Sequence, residues 1–96
     1  DEELVGLRPE TFALYANYPN PFNPSTKIRY AISQTAFTSL KVYSILGEEV
    51  AALINEEKTP GVYEINFDAS NLTSGTYLYK LQAGDFVQTR KMILMK

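Results

Sequence analysis

The groups able to do chemistry in this sequence are carboxylates, hydroxyls and phenols, because it contains no His and no Cys. That removes the usual general base, the thiolate nucleophile and the common transition-metal ligands together. Two acidic pairs, Glu48-Glu49 and Glu56-Glu57, are the remaining candidates for acid–base work. Sequence neighbours on a strand point to opposite faces, and in a loop they face water, so both pairs read as solvated charge. Asp68-Ala69-Ser70-Asn71 gathers several hard oxygens as a calcium loop would, yet one carboxylate is too little charge for tight binding. An Asx-type turn is the expected role. Asn71-Leu72-Thr73 fits the short glycan-acceptor pattern and is read as chance. No catalytic residue, metal or cofactor is expected.

Seven Tyr and five Phe make a sugar platform worth weighing, since a flat ring can stack on a sugar face. Tyr30, Tyr63, Tyr77 and Tyr79 are in phase with apolar neighbours, so they are expected in a core, each hydroxyl reaching a backbone partner. Tyr15, Tyr18 and Tyr43 remain as candidate exposed rings. Tyr77 has a further structural reason. Thr73-Ser74-Gly75-Thr76-Tyr77 resembles the tyrosine corner of immunoglobulin-like sandwiches, where the ring hydroxyl bonds back to the entering loop.

The elements that must carry these residues are strands. A chain of 96 residues, 45% hydrophobic, makes one small domain that hides only about 60–65% of its unfolded surface. Without disulfides it depends on dense packing. The net charge of −2 is scattered, with no basic stripe for nucleic acid. No apolar run approaches the roughly 20 residues of a membrane-spanning helix. No signal peptide follows Asp1, so the chain is expected to be an excised or processed piece.

Residues 1–10 are charged, carry Gly6 and Pro9, and read as a linker from a preceding cargo domain; residues 11–96 read as the folded domain. Phe12 to Ala16 alternates as a first strand, which the block Pro19-Asn20-Pro21-Phe22-Asn23-Pro24 ends as a rigid loop, since proline donates no ladder bond. Ile28, Tyr30 and Ile32 define the second strand, and Leu40, Val42 and Ser44 the third. Leu46-Gly47-Glu48 turns into a fourth from Glu49 to Ile54, although Val50, Ala51, Leu53 and Ile54 also fit a short helix. Tyr63, Ile65 and Phe67 mark the fifth, Tyr77, Tyr79 and Leu81 the sixth, and Ala83-Gly84-Asp85 leads into the last, Phe86 to Lys96. About seven strands with turn residues at every junction predict an all-β, immunoglobulin-like antiparallel sandwich; a small closed barrel is the alternative.

Several blocks together resemble a known family. They are Asn17-Tyr18-Pro19-Asn20-Pro21-Phe22-Asn23-Pro24-Ser25-Thr26-Lys27-Ile28, Val42-Tyr43-Ser44-Ile45-Leu46-Gly47-Glu48-Glu49-Val50, Gly61-Val62-Tyr63, Leu72-Thr73-Ser74-Gly75-Thr76-Tyr77, and Lys91 near the end. The chain is similar to the C-terminal sorting domain of type IX secretion, related in fold to the immunoglobulin-like domain of flagellar hook-capping proteins. Asn20, Pro21, Phe22, Asn23, Pro24, Gly47, Gly75 and Tyr77 are then signature residues with structural roles. The resemblance implies a non-catalytic signal behind an N-terminal cargo domain, passing the periplasm to the outer-membrane surface or the extracellular space. It implies as partners the type IX outer-membrane translocon and a sortase-like peptidase that removes the domain.

The residues add one recognition candidate. Lys91-Met92-Ile93-Leu94-Met95-Lys96 carries apolar side chains on both faces, and a sandwich can hide only one set. At a sheet edge the stretch offers backbone groups for strand addition; a covering loop, or a bulge near Arg90 that resets the phase, is the competing expectation. The alternative function is a passive accessory module, carbohydrate-binding or spacer, of an extracellular enzyme.

Overall fold

The computed structural model describes residues 2–4 and 9–96. Eight strands follow in order: β1 Glu2–Leu4, β2 Ala13–Leu14, β3 Ser25–Ile32, β4 Ala36–Ser44, β5 Glu49–Lys58, β6 Gly61–Asp68, β7 Gly75–Ala83 and β8 Phe86–Leu94. They form two four-stranded sheets, ordered β1-β6-β3-β2 and β5-β4-β7-β8, with every pairing antiparallel. All seven expected strands are present, as an all-β sandwich.

Alternation sets which side of each strand is buried. On β3, Ile28, Tyr30 and Ile32 are buried while Lys27 and Arg29 stay exposed, and on β7 Tyr77, Tyr79 and Leu81 point inward. These meet Leu40, Val42, Phe67, Met92 and Leu94 in one core. Tyr30 stacks on Tyr63 at 5.4 Å between centroids. Of the side chains expected inside, Ile65 is only half-buried. β1 pairs with β6 at Val62, Tyr63 and Glu64, so Ile65 lies at the margin of that sheet.

Three segments differ from the sequence expectation for physical reasons. Glu49–Lys58 is a strand throughout, longer than expected and with no helical turn, and its pairing with β4 slips twice: Leu53 falls between the partners of Leu40 and Lys41, and Val50 between those of Val42 and Tyr43. Two extra residues break strict alternation, which is what made the stretch fit a helical period. The first strand shrinks to Ala13–Leu14, because Ala16 and Asn17 loop out between Tyr15, bonded to Arg29, and Tyr18, bonded to Lys27. Within the expected linker, Glu2–Leu4 adds a short strand beside β6, a pairing made by the backbone. Residue 1 and residues 5–8 lie outside the described residues.

The expected tyrosine corner is present, with the Tyr77 hydroxyl donating to the Thr73 carbonyl at 2.7 Å. A second one accompanies it. Tyr63 donates to the Thr59 carbonyl at 2.8 Å, again four residues upstream. Both corners share the pattern Thr-x-Gly-x-Tyr, running from Thr59 to Tyr63 and from Thr73 to Tyr77. In the hairpin between β4 and β5, Gly47 takes φ +91°, a conformation open to glycine, and Ser44 Oγ accepts from the amides of Leu46 and Glu48.

Candidate recognition site

The terminal strand is built by plain alternation. β8 pairs with β7 without interruption from Ala83–Phe86 to Gly75–Leu94, so no bulge at Arg90 resets its phase. Met92 and Leu94 therefore point into the core and are fully buried. Lys91, Ile93, Met95 and Lys96 face water, with Ile93 36% and Met95 59% exposed. The leftover apolar set expected from the sequence is on the surface, at an edge strand.

The backbone of that edge is nevertheless occupied where the recognition segment lies. The Ile93 amide donates to Asn20 Oδ1 at 3.0 Å, and its carbonyl accepts from the Phe22 amide at 2.9 Å. The Met95 amide donates to the Phe22 carbonyl at 3.0 Å. The proline-rich loop thus meets the end of β8 in a parallel bridge at Phe22, so these backbone groups are already paired. Phe22 does this because it keeps an amide between two prolines that have none. Its ring is 2% exposed and packs on Phe67 at 6.3 Å, anchoring the loop. Upstream, β2 flanks β8: Arg90 Nε donates to the Leu14 carbonyl at 2.6 Å, and Phe12 stacks on Phe86.

The other signature residues divide into anchors and exposed positions. Asn17 donates its amide to the Tyr79 hydroxyl at 2.9 Å and its side-chain Nδ2 to Thr26 Oγ1 at 2.9 Å and to the Pro19 carbonyl. Tyr79 in turn donates to the Tyr15 carbonyl at 2.7 Å. Burial raises the Tyr79 pKa, and the Asn17 bond and nearby Arg90 oppose the rise. Pro24 accepts from the Ala69 amide. Pro21 and Asn23 are exposed, and Gly75 opens β7 opposite Leu94.

On the outer face of the β1-β6-β3-β2 sheet, Tyr15 is 43% and Tyr18 79% exposed. With Lys27, Arg29 and Glu64 they line an open cleft of about 700 Å³, whose wall includes Pro9, Ala16 and Val62. Glu64 holds both cations, Lys27 at 3.7 Å and Arg29 at 3.3 Å. Tyr43 lies on the other sheet, half-buried beneath Lys80 at 5.7 Å from its ring. No sequence signal announces the cleft, because it joins residues of separate strands and a loop.

The acidic pairs do not converge. Glu49 bridges to Lys41 at 3.4 Å and Glu56 to Lys58 at 2.9 Å, whose hydrogen bond and charge lower the Glu56 pKa. Asp68 Oδ1 accepts from the Ser70 amide at 2.9 Å, the expected Asx turn. Among the described residues no three acidic groups gather as a metal site would require.

The two packed antiparallel sheets and the tyrosine corner define an all-β sandwich, with the corner known from immunoglobulin-like domains. Residues 16–95 match the family described as secretion system C-terminal sorting domain, and the chain belongs to that family. Among solved structures it is similar to PorZ, an essential bacterial surface component of the type IX secretion system of Porphyromonas gingivalis. That superposition has a TM-score of 0.62 at 18% identity and covers 86% of this chain and 11% of PorZ, a likeness of fold. No curated protein matches the chain.

Proposed function

We propose that the domain directs an exported cargo protein through the type IX secretion system, from the periplasm across the outer membrane to the cell surface or the medium. The family match over residues 16–95 carries this reading. The cargo domain joins the sandwich through the linker of residues 1–10, the translocon recognises the folded sandwich, and a sortase-like peptidase cuts within or just before that linker. A peptidase needs an extended substrate, so cutting at Glu2–Leu4 requires that strand to leave β6.

Within this reading the handle is the outward side-chain set of the terminal strand, Lys91, Ile93 and Met95, rather than its backbone. The loop at Asn20 and Phe22 already uses the outward hydrogen bonds of Ile93 and Met95, whereas these three side chains are exposed and can meet a partner's pocket. The test replaces Lys91, Ile93 and Met95 by Ser or Thr in a reporter fusion, leaving Met92 and Leu94 intact. Stability should move by less than about 0.5 kcal/mol, as for ordinary surface changes, while secretion falls. A folded variant secreted like the parent domain would remove the terminal strand as the handle.

A further inference from the structure

Tyr18 is the one ring of the proline-rich block with no work in the fold. Around it, Asn17 ties Tyr79 and Thr26, Asn20 and Phe22 hold the end of β8, and Thr26 donates to the Pro19 carbonyl. Tyr18 is 79% exposed although its backbone is fixed at both ends, amide to the Lys27 carbonyl at 3.0 Å and carbonyl from the Lys27 amide at 2.9 Å. Tyr15 is pinned likewise, by the Arg29 carbonyl and the Tyr79 hydroxyl. A large apolar ring held out on a rigid backbone loses little conformational entropy when a partner covers it, the property of an interface anchor.

The floor beside the rings states what the partner must bring. Among the described residues Glu64 is the one carboxylate lining the cleft, and it is shared between Lys27 and Arg29, so among these three side chains two positive charges face one negative. The cleft thus offers rings and cationic donors. A carboxylate takes charge-assisted hydrogen bonds from both cations, about twice as strong as those a neutral sugar hydroxyl makes.

We infer that the cleft between Tyr15 and Tyr18 is a second docking site of the sorting domain, taking an extended protein segment that carries an aromatic or aliphatic side chain beside a carboxylate. This rests on the sorting reading, the segment belonging to the secretion machinery. The apolar side chain lies between the two rings, and the carboxylate meets Lys27 and Arg29. The site is on the opposite sheet from Ile93 and Met95, so one loop, Tyr18 to Phe22, joins two docking faces.

The experiment uses residues 1–96 fused to a signal-peptide-bearing reporter in a type IX-competent bacterium. Tyr18→Ser and the double change Lys27→Gln, Arg29→Gln should each cut secretion about tenfold, the scale of losing one anchor. Asn55→Ser, an exposed change on the other sheet, should preserve it. Melting temperatures of the purified variants should stay within about 4 °C of the parent. If the folded Tyr18→Ser and double variants are secreted like the parent, this inference falls and the sorting reading stands. If the parent reporter itself stays inside, both fall. Titration of the purified domain by NMR gives a readout independent of the variants. The capped tripeptide Asp-Phe-Asp should shift the amides of Lys27, Arg29 and Glu64. A galacturonate trisaccharide that shifts them while the peptide does not would reassign the cleft to a glycan and overturn the proposal.

Discussion

Phe22 and Tyr18 stand four residues apart in one loop and meet opposite fates, 2% and 79% exposed. Phe22 packs on Phe67 and lends its backbone to β8, while Tyr18 uses its backbone on β3 and gives its ring to the surface. A ring left outside on a pinned backbone adds little to the core. The inner end of the loop builds the sandwich, and the outer end presents it to a partner.

The contrast breaks first at Phe22. Phe22→Ala should cost about 3–5 kcal/mol in chemical denaturation, the range for deleting a buried ring, and amide exchange at Ile93 and Met95 should quicken as the loop lifts. A cost below about 1 kcal/mol, the scale of a single hydrogen bond, would mean that the loop is held by its backbone alone. Tyr79→Phe should cost about 1–3 kcal/mol, because it leaves the buried Asn17 amide without an acceptor. The two corners are next. Tyr77→Phe removes one hydroxyl bond and Tyr63→Phe two, to the carbonyl and the side-chain oxygen of Thr59; each should cost about 1–2 kcal/mol, with unchanged stability arguing against the corner concerned.

Alkali probes the core of the same sandwich. Burial, then the neighbouring Tyr63 and Glu56, push the Tyr30 pKa far above its ordinary value, and burial raises Tyr79 as well. The folded state therefore holds protons that the unfolded chain releases above about pH 10. Their contribution is complete below that pH and declines as the pH climbs past it. Denaturation midpoints taken from about pH 8 to about pH 11 should fall above about pH 10, and a flat profile would contradict the burial assigned to these hydroxyls. The smallest effect belongs to Tyr18: Tyr18→Ser should move stability by less than about 0.5 kcal/mol. A larger loss would place its ring in the fold and dissolve the contrast.

What is legible in the sequence is whatever side-chain alternation encodes. Ile28, Tyr30 and Ile32, or Tyr77, Tyr79 and Leu81, announce their strands and their buried faces. Glu2–Leu4 does not, because a short edge strand is held by backbone bonds that any residue can make. The Tyr77 corner is readable, and the same Thr-x-Gly-x-Tyr spacing at Tyr63 carries an equal signal, which the sequence reading missed. The loop along β8 is hidden: prolines argue against a ladder, and the bonds of Asn20 and Phe22 join residues more than seventy positions away. The outward set of Lys91 to Lys96 therefore follows from alternation, whereas the closure of that edge by the loop does not. The cleft at Tyr18 is a property of strand register, with Tyr15 beside Arg29 and Tyr18 beside Lys27, which no local pattern reports.

The central claim is that this sandwich is itself a secretion signal. The direct measurement is where a signal-peptide-bearing reporter fused ahead of residues 1–96 accumulates, in a type IX-competent bacterium and in its translocon-deficient counterpart. The account predicts reporter at the cell surface or in the medium of the first and in the periplasm of the second. Reporter retained in the periplasm of both, with the domain folded, would contradict it.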